Sequence, residues 1–203
     1  MSRILDLTVL LLLTIVLIVG VYQFYFLTQN HMIKPARSLR LRADDWVGFR
    51  PAWVFIYSGL YYPVIALTIF TVPDMRHYNY MAVSYFLLLM MQMACFRYFP
   101  VATPPEWREF GSHDGGGHAL RFMRIVQRYD QPSNCFPSMH VSVATLTALH
   151  LVHNAPAWGQ WPWLFPVLIA ISALFTKQHF LLDLPPGALL GWLAYWIYER
   201  IPM

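Results

Sequence analysis

The sequence predicts an all-α integral membrane protein with six transmembrane helices and an interfacial helix in the loop before the fourth span. Of its 203 residues, 58% are hydrophobic and only 12% are charged, whereas about a quarter of the residues in an average soluble domain are charged. The apolar residues also gather into segments close to the ~20 residues that a helix needs to cross a hydrocarbon layer. We therefore expect residues 1–203 to form a single membrane domain.

The six predicted spans follow one another along the chain with two long interruptions. They cover residues 4–27, 51–72, 79–99, 138–156, 161–177 and 181–201. The first is too long for the apolar core of a secretory signal, and no small-residue cleavage site follows it, so we interpret it as a helix. Most of the tryptophans lie near the predicted ends of spans, where an aromatic belt meets the membrane interface.

The loop between the third and fourth predicted spans contains a different kind of helix. Residues 118–130 have helical spacing, with apolar Leu120 and Met123 interleaved with Arg121 and Arg124. A short helix that is apolar on one side and basic on the other is typical of a segment lying in the membrane interface. The sequence therefore predicts the interfacial helix at this position.

Basic residues are distributed unevenly between the two predicted sides of the membrane. Loops one, three and five carry 11 lysine and arginine residues, and the opposite side carries 3. The positive-inside rule predicts that the first set of loops is cytoplasmic. Because the basic residues are interleaved with spans rather than spread along an exposed face, nucleic acid is not expected as a partner.

Two short polar motifs open the fourth and sixth predicted spans. The first is Pro137-Ser138-Met139-His140, and the second is His179-Phe180-Leu181-Leu182-Asp183. Titratable side chains are costly at membrane depth, so such groups at the mouths of spans are candidates for function. On a helix, residues i and i+4 share a face, which would place Asp183 beside His179.

The residue types in these motifs suit chemistry on a phosphate. A carboxylate beside His179 would fix its tautomer and raise the basicity of the other ring nitrogen, which could then act as a base or a nucleophile. His140, at the start of a different span, could protonate a leaving oxygen. Ser138 and the free N–H groups of that helix start could hold a phosphate, because a helix N-terminus favours anions.

The two cysteines, and the histidines in the far half of the fourth span, are expected to be structural. Cys95 and Cys135 do not predict a disulfide framework, and neither belongs to a catalytic pattern of its own. His150 and His153 lie toward the other end of the fourth span, about 15–20 Å from His140 at 1.5 Å per residue. They are therefore not expected to join the same site.

The two motifs resemble the second and third signature motifs of the type 2 phosphatidic acid phosphatase superfamily. The resemblance covers about half of the chain, from Phe96 to Ile201. Members of this superfamily are six-helix membrane enzymes, related to soluble acid phosphatases, that use no metal. The resemblance thus implies catalytic motifs within residues 97–183, a lipid phosphate substrate held among membrane lipids, and no metal or other cofactor.

Roles for four residues follow from this resemblance. It implies that His179 is the nucleophile that becomes phosphohistidine and that Asp183 orients it. It also implies that His140 is the general acid for the leaving group and that Ser138 binds phosphate.

The chain departs from the family pattern where the phosphate clamp is expected. The usual first motif, a Lys and an Arg-Pro separated by six residues, is not visible; Ala173 replaces the usual Arg before the nucleophile, and Met139 replaces a Gly. These departures, with residues 45–53, resemble the branch of inositol phosphorylceramide synthases and, more distantly, sphingomyelin synthases. A phosphoryl group in transit still needs positive charge. The candidates for that charge are Lys177, Arg97, Arg108, Arg121 and Arg124.

The sequence therefore predicts an enzyme that moves phosphate on a membrane lipid. Hydrolysis of a lipid phosphate is our first interpretation, because water needs no second binding site. Transfer of a phospholipid head group to a lipid hydroxyl is the alternative, and a non-enzymatic lipid-binding or transport protein is the other class. Family resemblance implies a site at the extracytoplasmic surface, whereas the count of basic residues implies the cytoplasmic one. The sequence does not predict an oligomeric state.

Overall fold

The computed structural model describes residues 3–109, 117–130 and 132–202, and this part of the chain is helical without a β-strand. The prediction of an all-α protein is confirmed. The eight α-helices of the described residues are α1 (Arg3–Asn30), α2 (Arg42–Trp46), α3 (Tyr61–Leu67), α4 (Met75–Tyr98), α5 (His118–Tyr129), α6 (Met139–Asn154), α7 (Leu164–Phe175) and α8 (Leu184–Tyr198). Short 3-10 and π-helical turns extend α3 into one longer run, Pro51–Phe70.

Three helical segments of the described chain are long and apolar enough to cross a membrane. They are Ile4–Thr28, Pro51–Phe70 and Met75–Tyr98, and they correspond to the first three predicted spans. The other three predicted spans coincide with helices shorter than the 18 residues taken here as the minimum for a span. Helix α6 has 16 residues and α8 has 15, and the run Trp161–Phe175 is also shorter than 18. The structure supports a membrane protein, and the count of six spans stays a prediction.

Much of α1 faces away from the rest of the protein. Ile4 is 78% exposed and Val16 is 65% exposed. Leu10 packs in a cluster with Tyr78, and the hydroxyl of Thr14 lies 2.9 Å from that of Tyr78. A helix that is apolar on all sides and largely exposed is what a lipid-facing span requires.

The centre of the bundle is α6. Its residues 141–148 are all buried, and it packs against α4, α7 and α8. A Cβ on Gly187 of α8 would lie 2.6 Å from the Ser138 carbonyl oxygen, and one on Gly191 would lie 2.2 Å from that of Ser142. These distances leave no room for a side chain, so the Gly-x-x-x-Gly pattern of α8 sets how closely the two helices approach.

Three loops meet at one end of the bundle. The N–H of Arg37 donates to the Pro100 carbonyl at 3.0 Å, which joins the loop after α1 to the loop after α4. The N–H of Arg50 donates to the Phe175 carbonyl at 2.8 Å, which joins the first of these loops to the end of α7. The segment before α6 pairs with the loop after α4. The loops that carry both motifs therefore form one layer.

The helix predicted at 118–130 is present as α5. Leu120 and Met123 are buried, whereas Ile125 is 55% exposed. Phe122 packs against Phe55 with ring centroids 5.7 Å apart, so α5 covers the start of the run Pro51–Phe70. Its position in a membrane interface stays a prediction.

Candidate active site

His179 lies in the turn between α7 and α8 and is only 4% exposed. Lys177 has a φ of 56°, in the left-handed region, and reverses the chain after α7. A 3-10 turn, Leu181–Asp183, then leads into α8. The expectation that His179 and Asp183 share a helix face is wrong, because α8 begins at Leu184. The turn brings the two side chains together instead.

The ring of His179 is held through one nitrogen. Nδ1 lies 2.9 Å from the carbonyl oxygen of Cys135 and 3.3 Å from Oδ2 of Asp183. Both atoms accept hydrogen bonds, so Nδ1 carries the hydrogen and the lone pair of the neutral ring is on Nε2. This is the tautomer that a nucleophilic or basic Nε2 needs.

Asp183 is fully buried, at 0% exposure. Its Oδ2 also accepts a hydrogen bond from the N–H of Phe180 at 2.8 Å, which ties the carboxylate to the turn that carries His179. Its Oδ1 has no hydrogen-bond partner among the described residues. The N–H of Ser138 donates to the Asp183 carbonyl at 3.0 Å, so the two motifs are joined directly.

Ser138 caps the N-terminus of α6 and places His140 in its first turn. The Ser138 hydroxyl accepts from the N–H of Val141 at 3.4 Å, and the side chain is buried. Gln92 of α4 donates to the Pro137 carbonyl at 2.5 Å and accepts from the Ser142 hydroxyl at 3.2 Å. The start of α6 is therefore fixed from two sides.

The ring of His140 faces the ring of His179 across a gap, with centroids 6.2 Å apart. Tyr57 stacks on His140 at 4.0 Å, and its hydroxyl lies 3.0 Å from Nδ1. Tyr61 packs on the same ring at 4.7 Å. No local pattern marks Tyr57 as part of the site, because it lies within a mostly apolar run and far from both motifs.

Cys135 contributes its backbone to the site. Its thiol donates to the Pro132 carbonyl at 2.9 Å, and burial raises the pKa of the thiol. Its Sγ, a His179 nitrogen and an Asp183 oxygen all lie within 4.8 Å of one another, which is a possible metal-ligand set. Among the described residues each of these three side chains makes a hydrogen bond.

Arg108 is the basic candidate that reaches the turn carrying His179. Its guanidinium donates to the Asp130 backbone carbonyl at 2.5 Å and to Oε1 of Gln178, the neighbour of His179, at 3.4 Å. Its Nε is buried and has no hydrogen-bond partner among the described residues. A phosphate oxygen near His179 would find an unused donor here.

The structure places the other basic candidates elsewhere. The ammonium of Lys177 donates to the Asp44 carbonyl at 2.6 Å and lies 4.5 Å over the Trp107 ring. Arg97 is exposed and donates to the His31 carbonyl at 3.0 Å. The last two, both exposed on α5, are Arg121 and Arg124.

Two acidic residues that the motifs do not include support this end of the bundle. Asp44 is buried, and its Oδ1 accepts from the N–H of Leu181 at 2.8 Å, which anchors the turn before α8. The carboxylate of Asp130 accepts a hydrogen bond from the Tyr25 hydroxyl. Burial raises the pKa of the Asp130 carboxyl, and the Tyr25 hydrogen bond and the positive charge of Arg108 oppose that rise.

A large cavity opens from the site into the bundle. It has a volume of about 530 Å³ and lies between α1, the run Pro51–Phe70, α4, α5 and α6. His140, Tyr57 and Asp130 are among its lining residues, and most of the others are apolar. Cavities of ~300–1,000 Å³ are the usual size of small-molecule sites. The cavity thus joins the polar groups around His140 to an apolar chamber.

Comparison with known proteins gives one family. A family model described as the PAP2 superfamily matches residues 23–197, a range that includes both motifs and begins well before the region of resemblance seen in the sequence. Neither the curated proteins nor the solved structures gave a significant match.

Proposed function

Because the chain belongs to the PAP2 superfamily, we propose that it is a membrane phosphatase, and more narrowly a metal-independent lipid phosphate phosphatase that works through a phosphohistidine. One observation carries the proposal. His179 has Nδ1 held by two acceptors, which leaves the Nε2 lone pair available, and the His140 ring lies 6.2 Å away.

In the first step, Nε2 of His179 attacks phosphorus. An N–P bond forms while the bond between phosphorus and the lipid oxygen breaks. Protonated His140 gives the proton on its Nε2 to that oxygen and becomes neutral, while its Nδ1–H donates to the Tyr57 hydroxyl and so orients the ring. The Asp183 carboxylate stabilises the positive charge that builds up on the His179 ring.

In the second step, water replaces the lipid. Neutral His140 takes a proton from the water as its oxygen attacks phosphorus, and the N–P bond breaks. Inorganic phosphate leaves, His179 is neutral again, and His140 has recovered its proton. Each residue ends the cycle in the state in which it began it.

The non-bridging phosphate oxygens need positive charge and hydrogen-bond donors during both steps. We assign this role first to Arg108, because its guanidinium contacts the residue next to His179. Ser138 and the N-terminus of α6 are the second source. The other four basic candidates for the phosphate clamp have side chains that bind other partners or lie exposed, and their role stays a prediction from the sequence. They are Lys177, Arg97, Arg121 and Arg124.

Head-group transfer is the alternative. The donor would then be a phosphodiester lipid, so that His179 carries the phosphate with its head group still attached after the first step. In the second step a lipid hydroxyl would replace water and receive the phosphorylated head group as the N–P bond breaks. The apolar cavity of about 530 Å³ beside His140 favours this candidate, because it could hold a second lipid chain. The resemblance to the inositol phosphorylceramide synthase branch points the same way.

We also propose that α6, Trp161–Phe175 and α8 cross the membrane with the three longer segments, which places the site at one membrane surface. The side is tested by labelling intact cells with an impermeant thiol reagent. Glu106→Cys lies in the loop layer and Arg76→Cys lies at the opposite end, and both positions are exposed. Exactly one of these variants should be labelled, and labelling of Glu106→Cys would place the active site outside the cytoplasm.

The decisive assay uses purified protein in detergent with a strong chelator. A panel of lipid phosphates is supplied with and without a lipid alcohol, and inorganic phosphate and lipid products are followed together. We expect phosphate release without an acceptor, no loss with the chelator, and a decrease of at least ~10⁴-fold for His179→Ala, by analogy with removal of other catalytic nucleophiles. Radiolabelled phosphate should appear on the protein in an alkali-stable, acid-labile form.

Other results would redirect the assignment. A new lipid formed only when an alcohol is present would make the protein a transferase. Activity lost with the chelator and restored by a divalent metal would contradict metal independence. Equal background rates for the wild-type protein and His179→Ala would favour a binding or transport role.

A further inference from the structure

Asp130 is a partly buried carboxylate that takes no part in the two steps above. It follows the last residue of α5, and its side chain lines the apolar cavity together with Tyr25 and His140. The position of this segment is set through its backbone. Arg108 donates to the Asp130 carbonyl oxygen, and Asn134 donates to the Tyr25 carbonyl at 3.2 Å. The carboxylate is therefore not required to hold the loop in place.

The Asp130 carboxylate has more accepting capacity than the described residues use. Its hydrogen bond in this part of the chain comes from the Tyr25 hydroxyl, whereas an ionised carboxylate can accept about four. The guanidinium of Arg108 points at the backbone carbonyl instead. A carboxylate that faces an apolar chamber with unused lone pairs is costly unless a donor reaches it. This end of the cavity is therefore suited to a ligand that donates a hydrogen bond.

The shape of the cavity indicates what kind of molecule brings that donor. Leu17, Ile65 and Leu88 are among its apolar lining residues, and Asp130 and His140 are among the polar ones. An apolar chain in the chamber would have its polar end between these two residues. Arg108 donates both to the Asp130 carbonyl and to Gln178, the neighbour of His179, so a group bound beside Asp130 would also lie near the phosphate that His179 attacks.

We propose that Asp130 is a specificity-determining residue, which accepts a hydrogen bond from a free hydroxyl that the substrate lipid carries next to its phosphate. The inference rests on the proposed function, because it takes the lipid in the cavity to be the substrate. The substrate class is a lipid phosphate with a neighbouring hydroxyl, in preference to lipids in which that position is deoxygenated or esterified.

The competing explanation is that Asp130 only ties α1 to the loop through Tyr25. The two explanations differ in what Tyr25→Phe does. If the tie is the sole role, then Tyr25→Phe and Asp130→Leu should act alike on every lipid. If Asp130 recognises a hydroxyl, Tyr25→Phe should leave the preference between two lipids in place and the removal of the carboxylate should abolish it.

The test is made on His179→Ala protein, so that binding is read without turnover. The probes are monooleoyl glycerol phosphate, which has a free hydroxyl, and its deoxy analogue monooleoyl propanediol phosphate, each competing with a fluorescent lipid. We expect the hydroxyl lipid to bind about 10- to 100-fold more tightly, the usual effect of one hydrogen bond to a charged group. Tyr25→Phe should keep this ratio, and Tyr25→Phe with Asp130→Leu should reduce it to about 1 while the deoxy lipid binds as before.

Two further variants serve as controls for the binding experiment. Asp45→Asn removes an exposed carboxylate in the same loop layer and should leave the ratio unchanged. Asp130→Asn can still accept from Tyr25 and is expected to fold even if the double variant does not. A neutral acceptor forms a weaker hydrogen bond than a charged one, so the preference should fall by at least ~3-fold.

Equal binding of the two lipids to His179→Ala protein would overturn the inference, and so would loss of the preference in Tyr25→Phe alone. The proposed function is judged separately, by phosphate release from both lipids with the wild-type protein. A clear preference in binding without phosphate release from either lipid would refute the phosphatase and support the role of Asp130.

Discussion

His140 and His150 lie on the same helix, ten residues apart, and each is packed among tyrosines. Tyr57 stacks on His140 with ring centroids 4.0 Å apart. The rings that surround His150, at 5.1 to 5.8 Å, belong to Tyr85, Tyr195 and Tyr198. Their surroundings differ in what lies beyond the tyrosines. His140 borders the cavity and faces a second imidazole, whereas His150 is 1% exposed and its Nε2 lies 2.7 Å from the Ser84 hydroxyl.

This difference separates a residue suited to catalysis from a residue of the core. A buried imidazole that contacts a hydroxyl and three rings satisfies its hydrogen bonds within the bundle and has nothing to react with. An imidazole beside a cavity, opposite a histidine that a carboxylate orients, can exchange a proton with a bound molecule. A titratable residue in a span is a candidate for function, and its neighbours decide whether it has one.

The largest effect in this comparison is expected from His140→Gln. Loss of a general acid costs about 10²- to 10⁴-fold in kcat, and it should cost far less with an aryl phosphate, whose phenolate leaves without a proton. The measurement is the ratio of kcat between the variant and the wild-type protein on a lipid phosphate and on an aryl phosphate. An equal decrease on both substrates would mean that His140 acts only through the structure.

A smaller effect is expected from Asp183→Asn. This variant tests the carboxylate that contacts His179, a contact without a counterpart in the hydrogen bonds described above for His140. The Cys135 carbonyl, at 2.9 Å from Nδ1, would still hold the tautomer. The variant should therefore lose mainly the charge-assisted part of the interaction, about 10- to 100-fold in kcat. Single-turnover formation of the phosphoenzyme is the direct measurement. A decrease as large as that of His179→Ala would show that the carbonyl does not replace the carboxylate.

Much of this arrangement could be predicted where neighbours in the sequence are neighbours in space. The helices and the polar residues that begin α6 follow from local patterns, because apolar length and N-caps are local properties. The contact between His179 and Asp183 was also predicted, although the stated cause was a helix and the actual one is a turn. The two arrangements place the side chains alike, since both bring residues four apart together.

Contacts between distant segments could not be predicted. Tyr57 reaches His140 from a position 83 residues away in the chain, within a segment whose pattern predicts only a span. Five basic residues were candidates for the phosphate clamp because charge alone selected them. The structure distinguishes them by partners that only the folded loops supply: Lys177 reaches the Asp44 carbonyl and Arg108 reaches Gln178.

The smallest effect on activity, and a clear effect on stability, is expected from His150→Ala. The substitution removes a ring packed among three tyrosines, and truncation of large buried side chains costs about 2–5 kcal/mol. Ser84 keeps its hydrogen bond to the Met81 carbonyl at 2.6 Å, so no buried hydroxyl loses its only partner. Below its unfolding temperature the variant should retain kcat within about 3-fold. Thermal unfolding in detergent and phosphate release should be measured together. We expect a lower unfolding temperature with nearly unchanged kcat, whereas His140→Gln is expected to lower kcat. A His150→Ala protein that is stable and inactive would mean that the second histidine of α6 takes part in the reaction after all.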